Sequence, residues 1–560
     1  MMAKFNIGLI ALIIGLIGQF QAKAQVEDLP DSMTYYIVKE YQPVARDANK
    51  VITNPTMEFD TTKPEMPTYS VLPRAMEVES KVDPIKAAKL SNEPLKKLHR
   101  GYAKVGFGNY TMPLFEAGIG SLRSKKFQYG LDLRHFSSFA KLNDVPFGFS
   151  ENKANLYGKY FLKHHVVKAN VLYDRDVSYR FGYDTGRNTL TKDDIRQRYS
   201  HIEAGASFSR YPGRELKIFD NVAIGYHNTQ DLYGSIENGM KVGFGIKENI
   251  KKEEIHVDGA VRYFHNQKPL DTTNNTIVDL TPKFKTSRKR WNLEVGVTLS
   301  LDIHDSATKV LIFPELDFEY YLVEDIMKVY AGATGGVKRN GLRELSQLNP
   351  YMGDDQPMLN TWERLNIYAG FKGTIISDLG FDVGVSEAAV NQHLFWVNDY
   401  SDKIGNEMLP VYHDVRVFTI RGELFYRWKN KLTATAGANY RFFTMSADHL
   451  QPWSESPFSF YLTGRYTLRD KIIARIDLMA YGPRETKDVA FFGSQGQEIA
   501  VEVPRTIAGF VDLNIGIEYR YRHWIGAFID VRNIAGTKNE KFNRYRSQSI
   551  SVIGGLNFAF

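Results

Sequence analysis

An all-β chain closed into a transmembrane antiparallel barrel of about 22 strands is the fold this sequence predicts, and three observations predict it. Long two-faced strands recur for more than four hundred residues. In 510–522, Val511, Leu513, Ile515, Ile517, Tyr519 and Tyr521 share one face. Asp512, Asn514, Gly516, Glu518, Arg520 and Arg522 share the other, because strand side chains alternate with period two. Mean hydropathy is −0.34 and no internal apolar run is long enough to span a bilayer as a helix, a combination that alternating barrel strands produce and helical bundles do not. Finally, every second connection is short and the intervening ones are often long, as short periplasmic turns and longer outer loops require.

Taken in order, residues 1–24 read as a secretory leader: Lys4, an apolar run from Ile7 to Ile17, and Ala22-Lys23-Ala24 before Gln25. Removing it takes Lys4 and Lys23 and no acid, so the net charge of +7 becomes +5. That small excess on a long chain does not argue for nucleic acid. The chain has no cysteine, which excludes disulfide scaffolds, thiolate metal sites and thiol catalysis.

Residues 25–100 differ in character, with no glycine and eight of the 21 prolines between 26 and 100. They are expected to form an extended arm, lumenal or periplasmic, and not a domain with its own core. Tyr35, Tyr36, Ile37 and Val38 are a β-prone piece that a partner protein can take as an added strand.

From Gly101 to Phe560 the hairpins follow without a break, giving 22 strands, with 20–24 as the range. Trp291, Leu293, Val295, Val297, Leu299 and Leu301 alternate with Asn292, Glu294, Gly296, Thr298, Ser300 and Asp302. A lysine or arginine facing lipid near the midplane costs about 2–4 kcal/mol, so the charged set points inward. Strand 411–428 breaks phase near Phe418–Ile420, which predicts a bulge there. Aromatic residues make up 13% of the chain, enough for girdles at both interfaces. Short turns such as Arg123–Lys126, Ser287–Arg290 and Trp428–Lys431 are basic and are placed at the periplasmic rim.

The segment Phe528-Ile529-Asp530-Val531-Arg532-Asn533-Ile534, a polar loop, and a last strand ending in Phe560 resemble the closing hairpin of TonB-dependent receptors. The resemblance covers roughly 101–560 and implies transport of a scarce ligand across the outer membrane. It also implies assembly by the barrel assembly machinery, with Phe558 and Phe560 as the terminal aromatic signal, and contact with outer-membrane lipids and lipopolysaccharide. Residues 25–100 are too few and too glycine-poor for that family's plug, so a reduced plug is expected. TonB itself, or a periplasmic or lipoprotein partner, would engage residues 26–100. The competing reading is a non-transporting barrel that scaffolds an envelope complex.

Candidate lumen-lining residues are Arg475, Asp477, Asp512, Glu518, Arg520, Asp530 and Arg532, as a selectivity path or a self-satisfied salt-bridged wall. Candidate outer-loop ligand contacts are Tyr351, Trp362, Trp396, Tyr400 and Trp453, against the plainer reading of girdle residues. Asp354-Asp355 is weighed as a cation site and set aside for want of further acids. No cofactor or metal is expected. An enzyme is not expected either: His135, Ser137 and Ser138 are the place for a Ser/His pair, but no third, orienting group stands at a recognisable spacing.

Overall fold

The computed structural model describes residues 98–560, apart from 143–144, 187, 212–217, 251–252, 306, 325, 401–403 and 493–498. The chain divides into two units, Met1–Asn92 and Glu93–Phe560. The leader, nearly all of the arm and Tyr35–Val38 lie outside the described residues. The second unit is a 22-stranded antiparallel barrel in which each strand pairs with its neighbours in sequence. It closes because Gly101–Gly108 pairs with Met112–Gly120 on one side and with the final strand Ser551–Ala559 on the other. At that seam Gly101 and Phe560 exchange backbone bonds of 2.9 and 3.0 Å. A Cβ on Gly101 would lie 2.8 Å from the Gly118 carbonyl, so the ladder leaves little room for a side chain there.

The wall obeys the period-two rule. Phe284, Val295 and Leu316 form one row across three strands, each about two-fifths exposed on the outside. The next row holds Lys283 and Glu315, joined across the inner face at 3.6 Å. Sheet hydrogen bonding thus satisfies the backbone within lipid, and alternation sorts the side chains.

All 22 predicted strands are present within a few residues, but several run further outward. Leu379–Asp399 pairs with Glu407–Trp428 well beyond the membrane. The bulge expected at Phe418–Ile420 is not there, since both ladders of that strand run through it in register. The irregularity sits on its partner between Val390 and His393, where Gln392 takes φ 54°. The sequence imitates a break in phase because Val415, with Val411 and Val417 packed in the same place, faces inward into an apolar cluster with Val390, Phe395, Val397 and Trp453. Stretches expected as loops also carry structure: a helix, Leu342–Leu348, and two ribbons, Arg484–Phe492 with Ile499–Ile507 and Glu540–Phe542 with Tyr545–Arg546.

The topology is tested by cysteine labelling of intact cells. Leu270→Cys, 86% exposed in an outer turn, is expected to react with an impermeant maleimide, whereas Lys289→Cys in a short turn reacts only after the membrane is opened. The reverse pattern would invert the barrel.

Candidate functional site

The site is built where outer loops meet over the barrel mouth. Arg180 follows the fifth strand, His165–Tyr179, and Glu407 opens the sixteenth, Glu407–Trp428, half-way round the ring. Residues so placed touch only if their loops cross the barrel axis. They do touch. Arg180 Nη1 donates to Glu407 Oε1, and Nη2 donates to Asp354 Oδ1 and to the Met352 carbonyl, both at 2.7 Å. Arg180 is 2% exposed. Burial works against its charge, but Glu407 and Asp354 outweigh that and hold the guanidinium firmly protonated.

Around this ion cluster lies an apolar core formed above the membrane by Tyr179, Phe181, Ile195, Leu342, Leu345, Met352, Trp396, Met408, Phe542 and Tyr545, among others. Tyr351 stacks on Tyr545 with centroids 3.8 Å apart, and Phe181 meets Tyr545 edge-on at 5.0 Å. Burial pushes the Tyr351 phenol up to about 12. Each such side chain removed from water contributes about 1.5–3 kcal/mol. The short helix is tied to the wall at its first turn: Leu342 N–H donates to Glu237 Oε2 at 2.7 Å. Glu237 also bonds Arg339 and, at 2.9 Å, His227 Nε2. A Cβ on Gly341 would stand 1.9 Å from the Arg339 guanidinium and 2.4 Å from the Glu237 carboxylate, so a side chain there would displace this ion pair.

Beneath the loops a chamber of about 560 Å³ lies between them and the wall, bordered by Arg134, Glu151, Lys153, Asp174, Ser346 and Tyr351. Arg134 stands 3.5 Å from Glu116 and 3.6 Å from Glu151. A second space of about 780 Å³ opens at the other end, beside Lys104, Glu116, Glu518 and Arg520.

The candidate lumen residues do face inward, and several bind one another. Asp530 holds Arg475 at 3.2 Å and Lys104 at 3.6 Å, while Arg520 meets Glu518 at 2.9 Å. Arg532 lies over the Phe136 ring at 4.8 Å. Asp477 stands between Thr463 and Asn514, and Asp512 faces Met479. Phe558 sits in the seam ladder opposite Ala103, beside the terminal Phe560.

The outer aromatics are corrected in role: Tyr351, Trp396 and Trp453 are not girdle residues but packing of the loop assembly. Trp362 donates to Asp302 at 2.8 Å, and Tyr400 donates to Asp488 at 2.8 Å. Asp354 and Asp355 each face a cation, Arg180 at 2.7 Å and Lys268 at 3.6 Å. Arg180 and Glu407 escaped the sequence reading because no local pattern announces a pairing of loops across a barrel.

The described residues form a closed 22-stranded antiparallel barrel and contain no plug domain, and that barrel fold is shared with solved bacterial iron-import receptors. The barrel is similar to the ferric-catecholate import receptor Fiu from E. coli K12, at TM-score 0.59 and 10% identity over 84% of this chain and 83% of that one. It is likewise similar to the FrpB iron transporter of Neisseria meningitidis, at 0.63 and 10% over 83% of each. The siderophore receptor PirA of Acinetobacter baumannii matches at 0.62 and 9%, over 84% of this chain and 81% of that one. No family model and no curated protein matches the sequence.

Replacing Arg180 by Met leaves two carboxylates facing each other without their cation. Because these are only 26% and 31% exposed, the loop assembly is expected to weaken by about 3 kcal/mol, the low end for a broken buried pair. Protease cutting within 339–360 measures it: cleavage is expected to rise while the heat-modifiable gel shift of the barrel stays.

Proposed function

We propose that this chain is a gated outer-membrane transporter whose outer loops form the closed gate and whose arm, residues 25–100, supplies the reduced plug and the periplasmic coupling. The observation that carries it is the contact of Arg180 with Glu407 from opposite sides of the ring. A barrel of this strand number left open would be a wide pore, so a closed mouth has a purpose. The gate is read as a bistable element, since Asp354 and Glu407 are partly exposed and can accept hydrogen bonds from water when the loops part. In this reading Tyr35–Val38 offers a strand to TonB or a similar energy-transducing partner. Iron chelates, the cargo named for the structural neighbours, are the first class to test.

Four proteins distinguish the parts: the mature chain, a variant lacking 26–95, Arg180→Met, and the two lesions combined, each measured for single-channel conductance in planar bilayers. The mature chain is expected to be closed. If deletion of 26–95 alone opens a large stable pore, the arm is the seal; if Arg180→Met is also needed, arm and loops seal in series. A barrel that stays closed under both lesions together, with an envelope protein that co-purifies only while 26–95 is present, ends the transporter reading in favour of a scaffold.

A further inference from the structure

We infer that the outer wall of the barrel carries a hydrolytic site, Ser137–His135–Asn152, facing the membrane and suited to carboxylic esters of membrane lipids. His135 and Ser137 lie two residues apart on the strand Phe127–Leu142, and Asn152 lies directly opposite His135 on Val145–Phe161. Ser137 Oγ is 3.2 Å from His135 Nε2, and His135 Nδ1 is 2.7 Å from Asn152 Oδ1. The Asn152 amide nitrogen donates to Ser150 Oγ at 3.2 Å and to the Arg175 carbonyl at 3.4 Å. That turns its oxygen toward the ring, so Nδ1 carries the proton and Nε2 is left to accept from Ser137. These are the relations of nucleophile, base and orienting group, with an amide as the third member.

The three groups are on the outside. On their own strand His135 and Ser137 alternate with Phe136, which packs in the inner cluster, and Ser138, which Gln548 bonds from within, while Val177, level with Ser137, packs against the outer-loop core. The row below holds Leu133, Ala154 and Tyr173, and the one below that Leu131, Leu156 and Val171. Leu133, Leu156, Val171 and Tyr173 are exposed on the wall. Further round, Tyr226 and Tyr263 reach Asn238 and Asn274 at 2.8 and 3.0 Å, marking the belt where the apolar wall ends. His135 and Asn152 therefore stand one row beyond the acyl region, at the depth of lipid ester groups. Arg175, opposite Asn152 on the same face, brings a cation to an anionic headgroup.

In the reaction Ser137 Oγ bonds to the ester carbonyl carbon while its proton passes to His135 Nε2. Collapse of the tetrahedral adduct breaks the acyl carbon–oxygen bond, and the departing lipid alkoxide takes that proton. Water then bonds to the acyl carbon, gives a proton to Nε2, and Ser137 leaves and recovers it. Ester and water become fatty acid and lysolipid, with no further reactant.

The mature chain, purified from a host without its own outer-membrane lipase, is incubated with phosphatidylethanolamine–phosphatidylglycerol vesicles and with a long-chain fluorophosphonate. Fatty acid release and labelling at Ser137 are expected. Ser137→Ala and His135→Ala should each lower release by about a thousandfold, and Asn152→Asp should keep activity while moving its pH profile upward. Ser138→Ala is the control, because that hydroxyl points inward and is bonded by Gln548 at 2.7 Å. Heat-modifiable migration certifies the fold of each variant. No labelling of the folded wild type, or release that survives Ser137→Ala, would falsify the site and leave these groups as a self-bonded polar row.

Discussion

The closing seam is the constraint on which the rest depends. In hydrocarbon an unpaired backbone group costs several kcal/mol, so a sheet that fails to close cannot remain in the membrane. Here glycines let the seam strands approach closely. A Cβ on Gly555 would lie 2.0 Å from the Val105 carbonyl, and one on Gly108 2.5 Å from that of Val552. On its inner side Met112, Leu114, Phe136, Phe528 and Ile553 pack together. Side chains facing lipid gain nothing from water exclusion once inserted, whereas these five are withdrawn from an aqueous lumen. The hydrophobic effect therefore holds together, from within, the strands on either side of the first one.

Closure also explains how loops come to meet. A tilted strand needs about 9–11 residues to cross the hydrocarbon, yet strands such as Leu379–Asp399 and Glu407–Trp428 have 21 and 22. The surplus stands above the membrane as a collar in water, where apolar burial again stabilises. Phe395, Trp396 and Val397 belong to this collar and are buried. The collar shortens the span that each loop must bridge. That is how a seven-residue helix and a few aromatic residues suffice to bring Arg180 to Glu407.

What was legible in the sequence follows the same boundary. Within the membrane one rule, apolar out and polar in, acts on every residue, so Leu293 to Asp302 could be placed from their alternation alone. Above it the rule lapses, because both faces of a strand meet water or protein. Val415 and Val417 face inward with apolar side chains, which imitates a bulge, while the real irregularity at Gln392 lies among residues with no alternation to break. Trp396 and Trp453 resemble girdle aromatics in sequence but are core of the loop assembly. The lumen candidates lie on the inner face because parity decides that; which of them meet, as Asp530 meets Arg475 across Gly516, is set by strand register, which no local pattern records.

Parity also frames the outer-wall groups. A barrel must change its outward rows from apolar to polar where the hydrocarbon ends, so a polar row at His135 and Asn152 is required on physical grounds and by itself says nothing of chemistry. What exceeds that requirement is order. A solvated row needs only donors and acceptors, and any mixture of serine and asparagine would serve. Here the amide is held by two donations on one side, so that its oxygen selects the imidazole tautomer on the other, and that tautomer presents its free nitrogen to a hydroxyl. Each bond fixes the direction of the next, and the chain ends at the one atom, Ser137 Oγ, that can attack a carbonyl. Interchanging His135 and Ser137 would keep the polarity of the row and lose that sequence, so the arrangement carries information that solvation alone does not demand.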